Sequence, residues 1–264
     1  MPEDTRFVLY PPRIGCDEVQ RLKNRFKERG HHCFIAKRDG EYTPRASDLI
    51  IGWGYSRHPM WEQKALDKGS KWLNHCSKIL NAVQKMESFE LMEQAGVSIP
   101  KWTRSKQRAQ IWSNAGVVIF ARSEDRGCKG AGITVVQPGQ EMPNALFYTQ
   151  YIPNTKEYRV YVCRGTVIDV LEKRRISDAT ETNEYIRGSE ESGWAFCRQN
   201  VHLSVAAKEQ CIEAVKALGL DFGGVDLLTT GSQSTVLEVN TAPDIFGSGL
   251  DRFVDAFNNI AKAA

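Results

Sequence analysis

The chain of 264 residues contains no apolar run that approaches the ~20 residues needed for a membrane-spanning helix. Its first residues lack the charged-then-apolar pattern of a secretory signal peptide. Seven cysteines are scattered, odd in number, and include no C-x-x-C pair. This spacing argues against a disulfide framework and against a zinc site, and favours reduced thiols. We therefore expect a cytoplasmic protein with no membrane partner.

The chain also lacks a large excess of charge of either sign. The formal net charge of +3 comes from 35 basic and 32 acidic side chains. The basic residues form no run or stripe, which argues against nucleic acid as the main partner. Hydrophobic residues make up 41% and charged residues 25%, as in ordinary soluble globular proteins. A pocket for an anionic cofactor would suit the small cationic excess, although so small an excess is equally consistent with no electrostatic role.

Two common nucleotide-binding signatures are missing. A glycine-rich loop at 127–132 lies between the predicted strands VVIFAR and ITVV, but no helix opens after it and no G-K-[ST] ends it. It is therefore neither a dinucleotide fingerprint nor a P-loop. A loop bearing Arg126 and Lys129 could instead fold over phosphates, with Arg122 of the preceding strand pointing to the same place. A plain glycine-rich hairpin is the alternative.

Three blocks follow one another along the chain. Residues 1–78 alternate strands and helices with short links, which predicts a parallel sheet. Residues 79–145 open with one helix, NAVQKMESFELMEQAG, and contain the glycine-rich loop. Residues 146–264 begin with FYTQYIP, EYRVYVC and TVIDVLEKRR, interpreted as a three-stranded antiparallel meander, and continue with a helix, a hairpin and a last helix. The polar stretch 178–200 is predicted to be a loop. The fold class is α/β (α+β).

The C-terminal hairpin carries the sharpest signal. Glu238 and Asn240 are two residues apart on a predicted strand, so their side chains share one face. If TGSQS forms the turn, Thr229 lies opposite Thr235, and the same register puts Asp226 directly opposite Glu238. Two carboxylates about 5 Å apart at Cβ repel each other unless a cation lies between them. Oxygen ligands from Asp, Glu and an Asn amide are those that Mg²⁺ prefers.

A hairpin whose polar side merely faces solvent would also produce this pattern. The segment TAPDIFGSG that follows favours a site, because a turn rich in Pro and Gly seats backbone close to a ligand.

Taken in order, these elements resemble the ATP-grasp superfamily. The resemblance covers about residues 79–250 and leaves the first block as the preceding α/β domain. It is carried by NAVQKMESFELMEQAGVSIPKW, VVIFARSEDRGCKGAGI, FYTQYIPNTKEYRVYV, GLDFGGVDLL and VLEVNTAPDIFG. The last two stretches are the most specific. Within the superfamily, the chain looks most similar to the peptide-ligase-like branch, with D-alanine–D-alanine ligase, bacterial glutathione synthetase and the ribosomal-protein glutamate ligases.

The resemblance implies a role for each matching position. Phosphate contacts fall to Lys85, Arg122 and the loop residues Lys129, Gly130 and Gly132; the adenine hinge is Gln150, Tyr151 and Ile152; Glu157 holds the ribose; the metal ligands are Asp226, Glu238 and Asn240. Arg159, Arg174, Arg198 and Asn200 lie where relatives place groups around the transferred phosphate. Arg122 departs from the usual lysine, and Arg175 is a neighbour that could substitute for Arg174. Each of these arginines could instead be a solvated surface cation.

The implied activity is that of an ATP-dependent carboxylate–amine ligase. It would use ATP with Mg²⁺, as two ions and with Mn²⁺ as a substitute, form an acyl phosphate, and release ADP and phosphate on forming an amide. The partners are small-molecule or peptide carboxylates and amines, with a modified nucleotide acceptor and a homodimer left open. A kinase that stops at the phosphorylated product, and a nucleotide-binding relic without catalysis, are the alternatives.

Specificity is expected in the first block and in the loops. Trp53, Tyr55 and Trp61 cluster in GWGYSRHPMW and either line a substrate cleft or belong to the core.

Overall fold

The computed structural model describes residues 5–126, 131–153, 156–176, 185 and 193–263. Three β-sheets form its framework, two with four strands and one with five. Within the described residues, no helix combines the length and the apolar character needed to cross a membrane.

The first sheet is parallel, as the alternation of strands and helices predicts. Its strand order is β2-β1-β3-β4. Its elements are β1 (Arg6–Tyr10), α1 (Asp17–Glu28), β2 (His32–Ile35), β3 (Asp48–Gly52), α2 (Glu62–Asp67) and β4 (Lys71–Leu73). The strand β3 is buried at every position because elements cover both faces of the sheet.

The second sheet is antiparallel, with the order β5-β8-β6-β7. Two helices, α3 (Cys76–Val83) and α4 (Lys85–Gln94), precede it. Its strands are β5 (Trp102–Thr103), β6 (Ile119–Arg122), β7 (Ile133–Val136) and β8 (Phe147–Gln150). The helix α5 (Lys106–Asn114) lies between β5 and β6 in the chain. The glycine-rich loop connects β6 to β7, which pair as the predicted hairpin.

The third sheet is antiparallel, with the order β11-β10-β9-β12-β13. Its elements are β9 (Lys156–Cys163), β10 (Thr166–Arg175), β11 (Trp194–Cys197), α6 (Val205–Ala217), β12 (Phe222–Thr230), β13 (Gln233–Asn240) and α7 (Ser248–Lys262). One face packs on α6, whose first turn is capped by the Ser204 hydroxyl as the sequence predicts. The other face packs on α7 and the first sheet at one end and carries charged side chains at the other.

Three expectations are wrong. Gln84 is extended, so the predicted single helix is two helices, α3 and α4. The strand β8 pairs with β5 and β6 rather than with β9, so FYTQYIP leaves the predicted meander for the second sheet. The strand β11 lies inside the predicted loop 178–200, where it finds a partner in β10. Neither partner can be read from local sequence, since strand pairing joins distant segments.

The tryptophan cluster belongs mainly to the core, which is one of the two alternatives that the sequence left open. Trp53 and Trp61 are only 2% and 3% exposed. Trp53 stacks on Phe222, so it joins the first sheet to the third. Trp61 packs with Tyr10 on the other side of the first sheet. A substrate cleft lined by these two tryptophans is therefore excluded, while Tyr55 remains half-buried beside them.

Candidate nucleotide and metal site

A row of charged side chains crosses three neighbouring strands of the third sheet. Asp226 of β12 lies opposite Arg159 of β9 on one side and opposite Glu238 of β13 on the other. The Arg159 guanidinium donates two hydrogen bonds of 2.8 Å, one to each carboxylate oxygen of Asp226. Burial alone would lower the pKa of Arg159, but the Asp226 carboxylate reverses this and raises the pKa. The strands thus hold a fixed ion pair at their centre.

The predicted opposition of Asp226 and Glu238 is confirmed, although the predicted turn is wrong by one residue. Thr229 lies opposite Ser234, not Thr235, because the turn is tighter than expected. The ladder shifts by one residue next to Asp226, where Leu237 has no partner of its own. This β-bulge restores the register, and a bulge also changes the direction in which neighbouring side chains project.

Three cations set the electrostatics of Glu238, whose side chain is 42% exposed. The Lys85 ammonium lies 2.9 Å from its Oε2 atom. Burial raises the pKa of Glu238, but Lys85, Arg159 and Arg122 outweigh it and lower the pKa to about 2. Glu238 is therefore ionised at neutral pH and available as a cation ligand.

Asn240 completes the group of oxygen-bearing side chains. Its amide nitrogen donates to Asp226 at 3.2 Å and to Glu238 at 3.3 Å. Gly224, which lies opposite Asn240, has no Cβ, and one would come within 2.7 Å of the Pro243 side chain. The proline turn therefore packs directly against the strand beside the carboxylates, as its composition suggested.

The start of α4 anchors the glycine-rich loop. The backbone N–H groups of Lys85 and Met86 donate to the carbonyl and carboxylate oxygens of Asp125, at 3.1 and 3.0 Å. Asp125 therefore caps α4 in place of Gln84, whose side chain makes no cap. Lys85 is fixed at the junction of the helix, the loop and Glu238.

Arg122 ends β6 and points toward the same group. Burial lowers its pKa, while the Glu238 carboxylate opposes that effect. Its guanidinium lies 5.7 Å from the Phe147 ring centre and 3.5 Å from the Thr149 hydroxyl. Arg122 therefore adds a positive charge beside Glu238 at the end of β6.

A cavity of about 70 Å³ lies between the second and third sheets. Five residues that the sequence assigns to the nucleotide line it: Arg122, Gln150, Tyr151, Ile152 and Glu157. Its other lining residues were missed: Pro100, Phe120, Thr149, Tyr185, Leu228 and Leu237. The bulged residue Leu237 thus contributes to the cavity while its neighbour Glu238 contributes to the carboxylate pair.

A buried ion pair borders the cavity. The Lys173 ammonium donates to the Glu157 carboxylate, and the two side chains are 6% and 9% exposed. The Phe196 ring contacts both Lys173 and Arg159, with its centre 5.0 Å from the ammonium and 4.6 Å from the guanidinium. Lys173 and Phe196 were not predicted, since only the pairing of β10 with β9 and β11 brings them here.

Arg198 follows β11, and its side chain lies on the same face of the third sheet as Lys173, next to the start of α7. Its Nε donates to Asp169 at 2.9 Å and its Nη2 to the Phe246 carbonyl at 3.1 Å. Asp169 is 3% exposed. Arg198 is its nearer charge partner, and Arg252 lies farther away, at 3.5 Å. Gly249 makes this packing feasible, because a Cβ there would come within 2.7 Å of the guanidinium.

Arg174 and Asn200 lie elsewhere. Arg174 follows Lys173, so its side chain projects from the opposite face of the sheet, where it donates to Glu172 and to the Asn200 carbonyl. Asn200 is an exposed turn residue with φ of 53°. The structure therefore does not bring either residue to the carboxylate pair. Arg175 projects from the same face as Lys173.

The structure describes only one of the three predicted loop residues. Gly132 adopts φ of +70°, and its carbonyl accepts from the Ser123 N–H, which closes the loop toward β6. Lys129 and Gly130 lie outside the described residues.

Two sheets enclose a cavity, and a row of carboxylates and cations lies beside its mouth. This arrangement defines the ATP-grasp class of ligases. The model of the RimK-like ATP-grasp domain matches residues 110–263, more than half of the chain. The chain therefore belongs to the RimK-like ATP-grasp family.

Curated relatives of this chain agree with this family. A probable alpha-L-glutamate ligase of Vibrio parahaemolyticus is 22% identical over 263 residues, covering 87% of this chain and 85% of that protein. The probable alpha-L-glutamate ligase of Pasteurella multocida is 27% identical over 187 residues, covering 66% of this chain and 57% of that protein.

Solved structures agree on the fold. The ATP-grasp ligase PsnB, complexed with a minimal precursor, superposes with a TM-score of 0.69 at 16% identity and covers 98% of both chains. D-alanine–D-alanine ligase from Bacillus anthracis has a TM-score of 0.65 at 12% identity, with 98% of this chain and 99% of that chain covered. The family and its relatives confirm the expected ATP-grasp fold and an ATP-dependent carboxylate–amine ligase.

Proposed function

We propose that this protein uses ATP and Mg²⁺ to convert a substrate carboxylate to an acyl phosphate and then joins that acyl group to an amine. The observation that carries the proposal is the continuous row Arg159–Asp226–Glu238 beside a cavity lined by Gln150, Tyr151 and Ile152.

The donor set fits magnesium. Asp226 and Glu238 offer carboxylate oxygens, and Asn240 offers an amide oxygen once its amide rotates, so every ligand is a hard oxygen. The carboxylates are already held by cations, Arg159 for Asp226 and Lys85 for Glu238. We propose two Mg²⁺ ions, with Mn²⁺ as a substitute. Bound magnesium would neutralise phosphate charge and polarise the transferred phosphoryl group.

The cavity fits a nucleotide base. It lies between two sheets, is bordered by apolar side chains such as Phe120, Leu228 and Leu237, and is also lined by the segment Gln150–Ile152 at the end of β8. Glu157 at its border, with Lys173 as its charge partner, is placed to accept from ribose hydroxyls. These contacts support the proposed adenine hinge and ribose ligand.

The cationic side chains fit the phosphates and the developing charge. Lys85, Arg122 and Arg159 face two carboxylates, so three positive and two negative charges leave one net positive charge in this group. A net positive group in a partly buried site attracts a polyphosphate. We propose that Lys85 and Arg122 bind ATP phosphates, with Lys129, Gly130 and Gly132 over them. Arg159 and Arg198 would stabilise the transferred phosphate.

Side chains of this protein support both steps of the proposed reaction. The carboxylate substrate attacks the terminal phosphorus atom, and ADP leaves as the new oxygen–phosphorus bond forms. The amine attacks the acyl carbon, phosphate leaves, and a proton departs from the nitrogen. The cationic side chains hold both reactants and stabilise charge that builds on oxygen, which is where most of the rate gain arises in such reactions.

The substrate is proposed only by class. The relatives are named for glutamate ligation, and structures of PsnB contain precursor peptides. We propose an amino-acid or peptide carboxylate and an amine as the two substrates. We further propose that residues 1–78 form the preceding domain, and that the two ATP-grasp parts meet near residue 150, after β8, rather than at the predicted boundary between residues 145 and 146. We also propose that the protein works in the reducing cytoplasm, where thiols such as Cys33 and Cys211 stay free.

An assay of ADP release with Mg²⁺ and ATP tests the proposal. Amino acids and peptides are screened as carboxylate and amine donors, and the products are weighed by mass spectrometry. An amide product with one ADP per bond supports the ligase. A stable phosphorylated product would instead identify a kinase, and the absence of substrate-dependent ADP release across the screen would contradict catalysis.

A further inference from the structure

A second group of metal-binding side chains lies in the first block, away from the nucleotide cavity. His58 precedes α2, Glu62 begins α2, and His75 caps α3. Their ligand atoms all lie within 4.8 Å of one another. This is the only group of three or more such side chains with that spacing in the described part of the chain.

Sequence proximity brings two of these side chains together, and the fold adds the third. His58 lies four residues before Glu62, in the segment that leads into α2. His75 comes from a different connection: it follows β4, the strand next to β3, and both strands point the same way. Loops at the carboxyl ends of parallel strands meet at one edge of the sheet, where ligand sites usually form.

The distances suit one small cation. The Glu62 carboxylate lies 2.8 Å from His58 Nδ1 and 2.6 Å from His75 Nε2. Zinc binds such atoms at about 2.0–2.2 Å, so two ligands of one ion lie roughly 3.4 Å apart in tetrahedral geometry. Small outward movements of the imidazoles, well within reach of a side chain that is 53% exposed such as His58, would admit the ion.

The donor types select the metal. Two imidazoles and one carboxylate form a three-ligand set with the fourth position left for water, a set that zinc adopts. Imidazole nitrogen favours zinc and its neighbours over magnesium or calcium. The oxygen-only group at Glu238 has the opposite preference, so the two sites should not compete for one ion.

A neighbouring hydroxyl is placed to support the ligand. His75 Nδ1 lies 3.0 Å from the Ser77 hydroxyl oxygen, and it accepts a long bond of 3.4 Å from the Ser77 backbone N–H. When Nε2 binds a metal, Nδ1 carries the proton, so it would donate a hydrogen bond to the Ser77 hydroxyl and would no longer accept from the Ser77 backbone N–H. Such outer partners orient a metal-bound histidine.

The position suggests what the ion would do. Asn74, next to His75, is fully buried and joins the first block to the third sheet: its side chain donates to the Phe222 carbonyl and accepts from the Asp221 N–H. Asp221 and Phe222 lead into β12, the strand that carries Asp226. An ion at His75 would therefore fix the loop that holds this joint.

We propose that His58, Glu62 and His75 bind one zinc-type divalent cation that stabilises the joint between the first sheet and the ATP-grasp sheets. Hydrogen bonding alone, with Glu62 accepting from both imidazoles, is the competing explanation. It predicts no affinity for metal, so measurement separates the two.

The experiment is a zinc titration of the metal-free full-length protein, followed by calorimetry and by Trp fluorescence with excess Mg²⁺ present. Excess Mg²⁺ occupies the oxygen ligands near Glu238. Trp72 reports on the site, because its ring centre lies 4.8 Å from that of His75. Cobalt substitution adds a visible spectrum that identifies tetrahedral nitrogen ligation.

We expect one zinc per chain and a higher melting temperature with zinc. His58→Ala should weaken binding at least about 100-fold, and Ser77→Ala about tenfold. His202→Ala removes an exposed histidine elsewhere and should leave binding unchanged, as should Glu238→Gln. His58→Ala decides the matter if His75→Ala fails to fold, because His58 caps no helix.

Binding below one zinc per chain, or full binding by His58→Ala, would overturn the proposal. So would loss of zinc binding in Glu238→Gln, since that would place the ion at the nucleotide site. The zinc measurement requires no turnover, so its failure is distinguishable from failure of the proposed ligase activity.

Discussion

The carboxylates of Asp226 and Glu238 face each other across β12 and β13, and each has a cation of its own. Arg159, on the neighbouring strand, donates two hydrogen bonds to Asp226, and Lys85, at the start of α4, donates one to Glu238. Two elements far apart in sequence therefore balance the charges of one hairpin. The predictions below follow from this arrangement.

Replacing Glu238 with Gln should lower substrate-dependent ADP release by about 100-fold or more, because even residues that only support a metal ligand are worth 10–100-fold. The fold should persist, since the side chain is 42% exposed. Circular dichroism and ADP release measure the two effects. Glu209→Gln, an exposed change on α6, is the matched control. Near-normal turnover in Glu238→Gln would remove this residue from the metal site.

Truncating Leu237 to Ala should raise the KM for ATP about tenfold with little change in kcat, since a lost apolar contact of roughly 1.4 kcal/mol weakens nucleotide binding uniformly. Leu237 lines the cavity as the bulged residue of β13. Steady-state kinetics at varied ATP provide the measurement. Val205→Ala, at a side chain 71% exposed, is the control. An unchanged KM would show that the base does not bind there.

The pH dependence of stability should reveal the depressed pKa of Glu238. Its pKa falls from 4.5 to about 2 on folding, so the ionised form is favoured in the folded state. The resulting stabilisation is complete above pH 4.5 and is lost as pH falls toward 2. Urea unfolding at pH 5.0 and pH 3.5 should therefore show a larger loss for the native protein than for Glu238→Gln. Equal losses would contradict the assigned shift.

Asp169→Asn should lower kcat about tenfold while leaving the KM for ATP nearly unchanged, because Asp169 positions Arg198 and does not line the nucleotide cavity. A buried carboxylate, 3% exposed, is replaced by an amide that holds the guanidinium less firmly. Arg252→Gln removes the weaker second contact of Asp169 and serves as the control. A rise in KM alone would place Asp169 in binding rather than in positioning.

Arg174→Ala and Arg175→Ala should differ in their effects on turnover. Arg174 projects away from the carboxylates and bonds to Glu172 and the Asn200 carbonyl, so its loss should change ADP release less than about threefold. Arg175 shares the face of Lys173, and its loss should cost more. Parallel ADP-release assays of the two variants decide between them. A severe defect in Arg174→Ala would restore the role that the family resemblance gave it.

Errors in the sequence interpretation arose where distant segments meet. The predicted helix across Gln84 failed because Asp125, just before the glycine-rich loop, caps α4 and allows a break there. The strand β8 was assigned to the wrong sheet because apolar alternation predicts a strand without naming its partner. Lys173 and Phe196 carry no motif, so no local signal could have revealed them. Arg174 was preferred to its neighbours by context, although strand alternation alone limits which of them share a face.

The sequence by itself determined which oxygen-bearing side chains share one face of the hairpin. Alternation along a strand places Glu238 and Asn240 on one face, and the antiparallel pairing of β12 with β13 brings the strand that carries Asp226 alongside them. Only the tertiary structure decided which cations balance them, because Lys85, Arg122 and Arg159 come from three different elements. It also decided that a tighter turn and the bulge at Leu237 compensate each other. Short-range periodicity fixes side-chain direction, whereas long-range packing selects the partners.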